Sequence, residues 1–98
     1  MSVKVEWRDR AIHEAQEAYD WYEARSNGTG ERFIAELDEH INFVQGRPNG
    51  YPKWRAQYRK VTMIIFPYKV IYRVEGDRVI IFSVFHNKRD PKHWGRVR

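Results

Sequence analysis

The chain has 98 residues, no cysteine and a formal net charge of +5. That length holds one domain with a core of its own, and the absence of cysteine excludes disulfide bridges and thiolate metal centres. No apolar run approaches the ~20 residues of a membrane-spanning helix, and the opening MSVKVEWRDR lacks the apolar stretch of a secretory signal, so a cytoplasmic location is expected.

Val3, Val5 and Trp7 alternate with Lys4, Glu6 and Arg8, which predicts a first strand. Asp9 is placed to cap the helix that follows. Ala11, Ala15, Ala18 and Tyr22, with Ile12 and Tyr19 beside them, mark one face of an amphipathic helix over residues 10–25. Glu14, Glu17 and Asp20 fall on the other side and read as a solubilising face. Residues 26–30 form a loop of helix breakers. Phe33, Leu37, Ile41 and Val44 then predict a second helix, ended by Gly46 and Pro48. So short a loop makes the two helices antiparallel neighbours.

Residues 47–57 read as a linking loop pinned by Tyr51 and Trp54. Strands are predicted over residues 58–65, 68–74 and 78–85. Pro67 separates the first two, and Glu75-Gly76-Asp77 is a hairpin turn in which glycine supplies a positive φ. Residues 79–85 are nearly all apolar, as in a strand covered on both faces. The expected fold class is α+β with order β-αα-βββ. An antiparallel helix hairpin packs on a small, mainly antiparallel four-stranded sheet, and residues 1–98 form a single domain.

Chemistry concentrates in the last third. The runs at 66–74 and 79–86 deliver His86, Lys88, Arg89, Lys92 and Trp94 to one end. Residues 51–98 carry twelve Lys/Arg against three Asp/Glu, whereas residues 1–50 carry six against ten. That polarity directs the basic half toward a phosphate, a nucleobase or an acidic protein surface. Lys69, Ile71 and Arg73 share one face of their strand, opposite Tyr68, Val70, Tyr72 and Val74. With Arg59 and Lys60 they form either a binding face or an ordinary solvated one. His86 is either an acid–base group or a strand-end histidine hydrogen-bonded to backbone. Trp94 is either a lid on the core or a contact residue. His86 and His93 have only Asp90 as a nearby acid, so neither a metal nor another cofactor is expected.

The chain resembles the RelE/ParE superfamily of bacterial toxin–antitoxin modules, within it the ParE-like, plasmid-stabilisation branch. The resemblance rests on Trp21-Tyr22-Glu23, on Arg32, Phe33, Glu36 and Leu37, on Phe66-Pro67-Tyr68 followed by Ile71-Tyr72, and on His86, Arg89, Pro91 and Trp94. It covers nearly the whole chain. It implies a small cytoplasmic toxin, neutralised by a cognate antitoxin laid over its groove, with a toxin–antitoxin heterotetramer as a common assembly. Family toxins either poison DNA gyrase, as the ParE-like members do, or enter the ribosomal A site and cut mRNA, as the RelE-like members do.

Cutting needs cations at the scissile phosphate and groups that move protons. The ribonuclease branch uses two lysines, an arginine on the next strand, and an arginine and a tyrosine near the C-terminus. By motif these fall at Lys60, Thr62, Lys69, Arg89 and Trp94. Thr62 lacks the amine, Trp94 lacks the phenol, and Lys69 lacks the guanidinium fork. The resemblance therefore implies a gyrase inhibitor causing growth arrest, with Arg59, Lys69, Arg73, His86, Lys88, Arg89 and Trp94 as target- or antitoxin-binding residues. One alternative is a ribosome-dependent mRNA interferase using Lys60, Lys69, His86 and Arg89. Another is a degenerate toxin kept for antitoxin binding and operon repression.

Overall fold

The structure is a computed structural model and describes residues 3–88. In chain order the elements are β1 (Lys4–Trp7), α1 (Asp9–Arg25), α2 (Thr29–Gly46), β2 (Lys53–Arg55), β3 (Tyr58–Thr62), β4 (Tyr68–Glu75) and β5 (Arg78–His86). They build one sheet of order β1-β5-β4-β3-β2. β1 runs parallel to β5, and the other neighbours are antiparallel. The α+β class and the helix hairpin are as expected. The sheet has five strands rather than four, because β2 forms inside the predicted linking loop. Its three residues carry no readable period. They are held where Lys60 N–H donates to the Pro52 carbonyl at 3.2 Å and Arg59 Nη1 to the Tyr51 carbonyl at 2.6 Å.

The hairpin covers one face of the sheet. Ala11, Ala15 and Ala18 line the buried side of α1, and Phe33, Leu37, Ile41 and Val44 that of α2. They pack on Val61, Val70, Tyr72, Val79, Ile81 and Val84. Each fully buried large side chain among them contributes about 1.5–3 kcal/mol. Tyr72 is wholly buried and donates its hydroxyl to the Pro48 carbonyl at 2.6 Å. Burial pushes its pKa up to about 12. The opposite face carries a smaller cluster of Tyr58, Ile71 and Phe85, with Trp54 and Phe82 packed against it.

Four local expectations change. Asp9 is the first helical residue and Arg8 the N-cap, with no side-chain cap bond; Asp9 instead faces the positive end of the helix dipole from within the first turn. α2 begins at Thr29, inside the predicted loop. Glu23 makes this possible by accepting the Gly28 and Gly30 amides, both at 2.9 Å. β3 stops at Thr62 rather than at residue 65, because the amides of Ile64, Ile65 and Phe66 turn to a side chain on α2. Glu14, expected on a solvated face, turns inward. Its Oε1 accepts from Ser83 Oγ at 2.5 Å and from Val84 N–H at 2.9 Å.

Glycine is required where the helices meet. A Cβ on Gly30 would stand 2.8 Å from the Tyr19 carbonyl oxygen. Gly76, at φ +59, makes the β4–β5 hairpin turn as expected. No helix among the described residues is long and apolar enough to cross a membrane.

Candidate functional site

Strand alternation and register decide which of the basic residues meet. Lys60 pairs with Ile71, and Lys69 stands between Thr62 and Phe85. Ile71 and Phe85 belong to the cluster on the face away from the helices, so Lys60 and Lys69 share that face. Burial, and then the neighbouring Lys60 charge, hold the Lys69 ammonium below the ordinary lysine value. Lys69 Nζ donates to Asn87 Oδ1 at 2.8 Å.

Arg73 is on the same face but is engaged within the chain. Its Nη2 lies 2.6 Å from Glu75 Oε2, and Nη1 donates to the Tyr58 hydroxyl at 3.1 Å. Arg59 points the other way, toward the helix side, where it bonds the Tyr51 carbonyl.

His86 also leaves the lysine face. It pairs with Tyr68, which packs against the main core, and the two rings meet edge to face at 5.1 Å. With Glu14, Glu17, Trp21 and Tyr22 it lines a cleft of 330 Å³ between α1 and the end of β5. Its Nδ1 accepts the Lys88 backbone N–H at 3.1 Å, which leaves Nε2 to carry the proton in the neutral ring. This is the backbone-bonded strand-end histidine that the sequence allowed. Lys88 is exposed. Arg89 and Trp94, with Asp90, Pro91, Lys92 and His93, lie outside the described residues.

The lysine pair can therefore hold an anion, such as a carboxylate or a phosphate ester, on the face away from the helices, beside the Tyr58, Ile71 and Phe85 cluster. The imidazole that would move protons sits behind the sheet. Among the described residues no cluster of three or more His, Cys, Asp or Glu side chains could hold a metal.

One arrangement escaped the sequence reading. Glu36 on α2 is 5% exposed. Its carboxylate accepts the amides of Ile64 at 2.6 Å, Ile65 at 3.2 Å and Phe66 at 3.1 Å. His40 Nε2 stands 2.9 Å from Oε2, and His40 Nδ1 lies 3.0 Å from the Tyr51 hydroxyl. Burial pushes the Glu36 carboxyl up, but the bonds from His40 and the three amides outweigh it and hold the group below the ordinary range. The signal was present: Glu36 falls three residues after Phe33 and beside Leu37, on the helix face otherwise given to the core.

The model of a family described as "ParE toxin of type II toxin-antitoxin system, parDE" matches residues 5–91. Among solved structures, the chain is similar to the chromosomal ParDE system of P. aeruginosa, with a TM-score of 0.75 at 19% identity, covering 86% of this chain and 95% of that one. It is also similar to the intact E. coli RelBE toxin–antitoxin complex, with a TM-score of 0.63 at 18% identity over 89% and 99% of the two chains. The isolated E. coli RelE toxin gives 0.62 at 17% identity over 95% and 93%. No curated protein matches the chain significantly.

Proposed function

From the premise that the chain belongs to the ParE toxin family of type II toxin–antitoxin systems, we propose that it binds and inhibits DNA gyrase and that a cognate antitoxin neutralises it. The observation that carries this reading is the position of His86. The sheet lies between its imidazole and the Lys60–Lys69 pair, whereas phosphodiester cleavage needs cations and proton-transfer groups around one bond. Thr62, directly opposite Lys69, offers no second amine. Two lysines beside an apolar cluster suit an acidic protein surface. The antitoxin is the natural counter-ligand, in a heterotetramer or another stoichiometry. The test is supercoiling by purified gyrase with the free protein added. Unchanged supercoiling with no accumulated cleavage complex rejects the reading.

One observation favours a second reading. The Lys69 ammonium is held below its ordinary value, which brings an amine closer to use in proton transfer. A ribosome-dependent mRNA interferase would use it beside Lys60. That reading requires codon-positioned cuts in a primer-extension assay after induction, and their loss in Lys69→Ala.

A further inference from the structure

We infer that Ile64 and Ile65 form a preformed docking knob through which the chain engages a folded protein target, one that offers an apolar pocket with an acidic rim. The inference rests on the reading of the chain as a toxin that acts by binding a protein.

The two side chains are 84% and 75% exposed, while their neighbours Met63 and Phe66 are 4% and 8% exposed. Two adjacent isoleucines facing water are costly, and a loose loop could fold at least one of them inward. This loop is not loose. The Glu36 carboxylate fixes the amides of Ile64, Ile65 and Phe66. At its base, Met63 N–H donates to the Tyr68 carbonyl at 2.9 Å. Below, the Phe66 ring meets Tyr22 at 4.9 Å and Phe33 at 5.5 Å. A buried, fully hydrogen-bonded carboxylate is thus used to hold two apolar side chains outward. Binding through them costs little further ordering, which is the property of an anchor residue.

Shape narrows the partner. A linear segment fills grooves, such as the cleft of 560 Å³ lined by Ile12, Tyr19 and Ile34 between the helices. A rigid protruding knob needs a hole, and holes of that kind belong to folded surfaces. Charge narrows it further. Lys69 stands opposite Thr62, two residues before the knob, and bonds Asn87, which precedes Lys88. Cations at the foot of an apolar projection favour carboxylates around the receiving pocket.

The test is the Ile64→Ser/Ile65→Ser double variant, with Ile64→Lys alone as a second variant. It is compared with the wild type in thermal melting, gyrase supercoiling, growth arrest on induction, gel-filtration volume and affinity for the cognate antitoxin. The expected result is an unchanged melt, gel-filtration volume and antitoxin affinity, with the half-inhibiting concentration for gyrase raised at least about tenfold. A variant that inhibits as well as the wild type overturns the knob and leaves the toxin reading standing. If the wild type arrests growth without touching gyrase, the gyrase reading fails alone. Relief of arrest in the variant then still supports the knob, and persistent arrest overturns it. Loss of antitoxin binding or of self-association, with inhibition retained, reassigns the surface and overturns the inference. A wild type that neither inhibits gyrase nor arrests growth overturns both readings.

Discussion

Lys69 and His86 stand one register step apart on neighbouring strands yet leave opposite faces of the sheet. The pairing of Lys69 with Phe85 and of Tyr68 with His86 makes this unavoidable, since successive strand residues alternate in direction. The two groups therefore separate by mutation. On the proposed gyrase reading, His86→Ala is expected to leave inhibition within about threefold of wild type. Lys60→Ala/Lys69→Ala is expected to weaken inhibition by about tenfold or more at low salt, with the difference shrinking as salt is raised. Supercoiling assays at two ionic strengths check both outcomes.

Removing the loop clamp costs more than removing a surface charge. Glu36→Gln turns an amide group with its own donors toward the three backbone donors of the loop, so at least one is left unpaired. The expected loss is about 2–4 kcal/mol in urea denaturation. The carboxyl of the folded chain ionises below its ordinary value of 4.5, so the folded state binds fewer protons than the unfolded one in that range. Its contribution is complete above about pH 4.5 and is lost as pH falls through the lower folded value. Acid titration of Glu36→Gln should lack this arm.

The helix crossing is set by a single hydrogen atom. Gly30→Ala drives a methyl group to 2.8 Å from the Tyr19 carbonyl and 2.9 Å from Glu23 Oε1. Neither the backbone nor the capping carboxylate can yield without opening the hairpin, so a loss of about 1–3 kcal/mol is expected. A lowered melting temperature, with weakened amide protection at positions 28 and 30, would report it.

Alkaline pH reaches the core through Tyr72. Its phenol must stay neutral in the fold, where burial pushes its pKa up to about 12 from 10.0. Stability from this group is complete below pH 10 and drains away as pH rises through about 12. Tyr72→Phe should lose about 1 kcal/mol at neutral pH, the hydrogen bond to the Pro48 carbonyl. In exchange, the phenol's share of the alkaline unfolding should vanish, as followed by circular dichroism.

Legibility in the sequence followed the size of the repeating signal. α1, α2 and the β4–β5 hairpin announce themselves through apolar periods of several turns or pleats and through Gly76. β2 has three residues and exists because Tyr51 and Arg59 hold the chain beside β3; no local pattern encodes that. The three working carboxylates were the hardest to see. Glu14 and Glu36 serve backbone amides far along the chain and Glu23 those of Gly28 and Gly30 at the start of the next helix, and an acid on a helix reads by default as a solvated one. For the site, the pattern grouped the basic residues correctly by strand and placed Lys69 and Arg73 on one face. It did not show that Arg73 is committed to Tyr58 and Glu75. Nor did it show that His86 and Arg59 look across the sheet, because register between strands is a tertiary fact.

Glu14 has a consequence for how the protein behaves in a crowded solution. Where β1 ends, β5 would present a bare outer edge to any passing strand, and the carboxylate of Glu14 takes the Val84 amide there. The outermost strands run only four and three residues and place Lys4, Glu6, Lys53 and Arg55 along the rim. An invading strand would find few amides to join and a charged side chain at every second step, so the sheet resists growing by accretion into fibres.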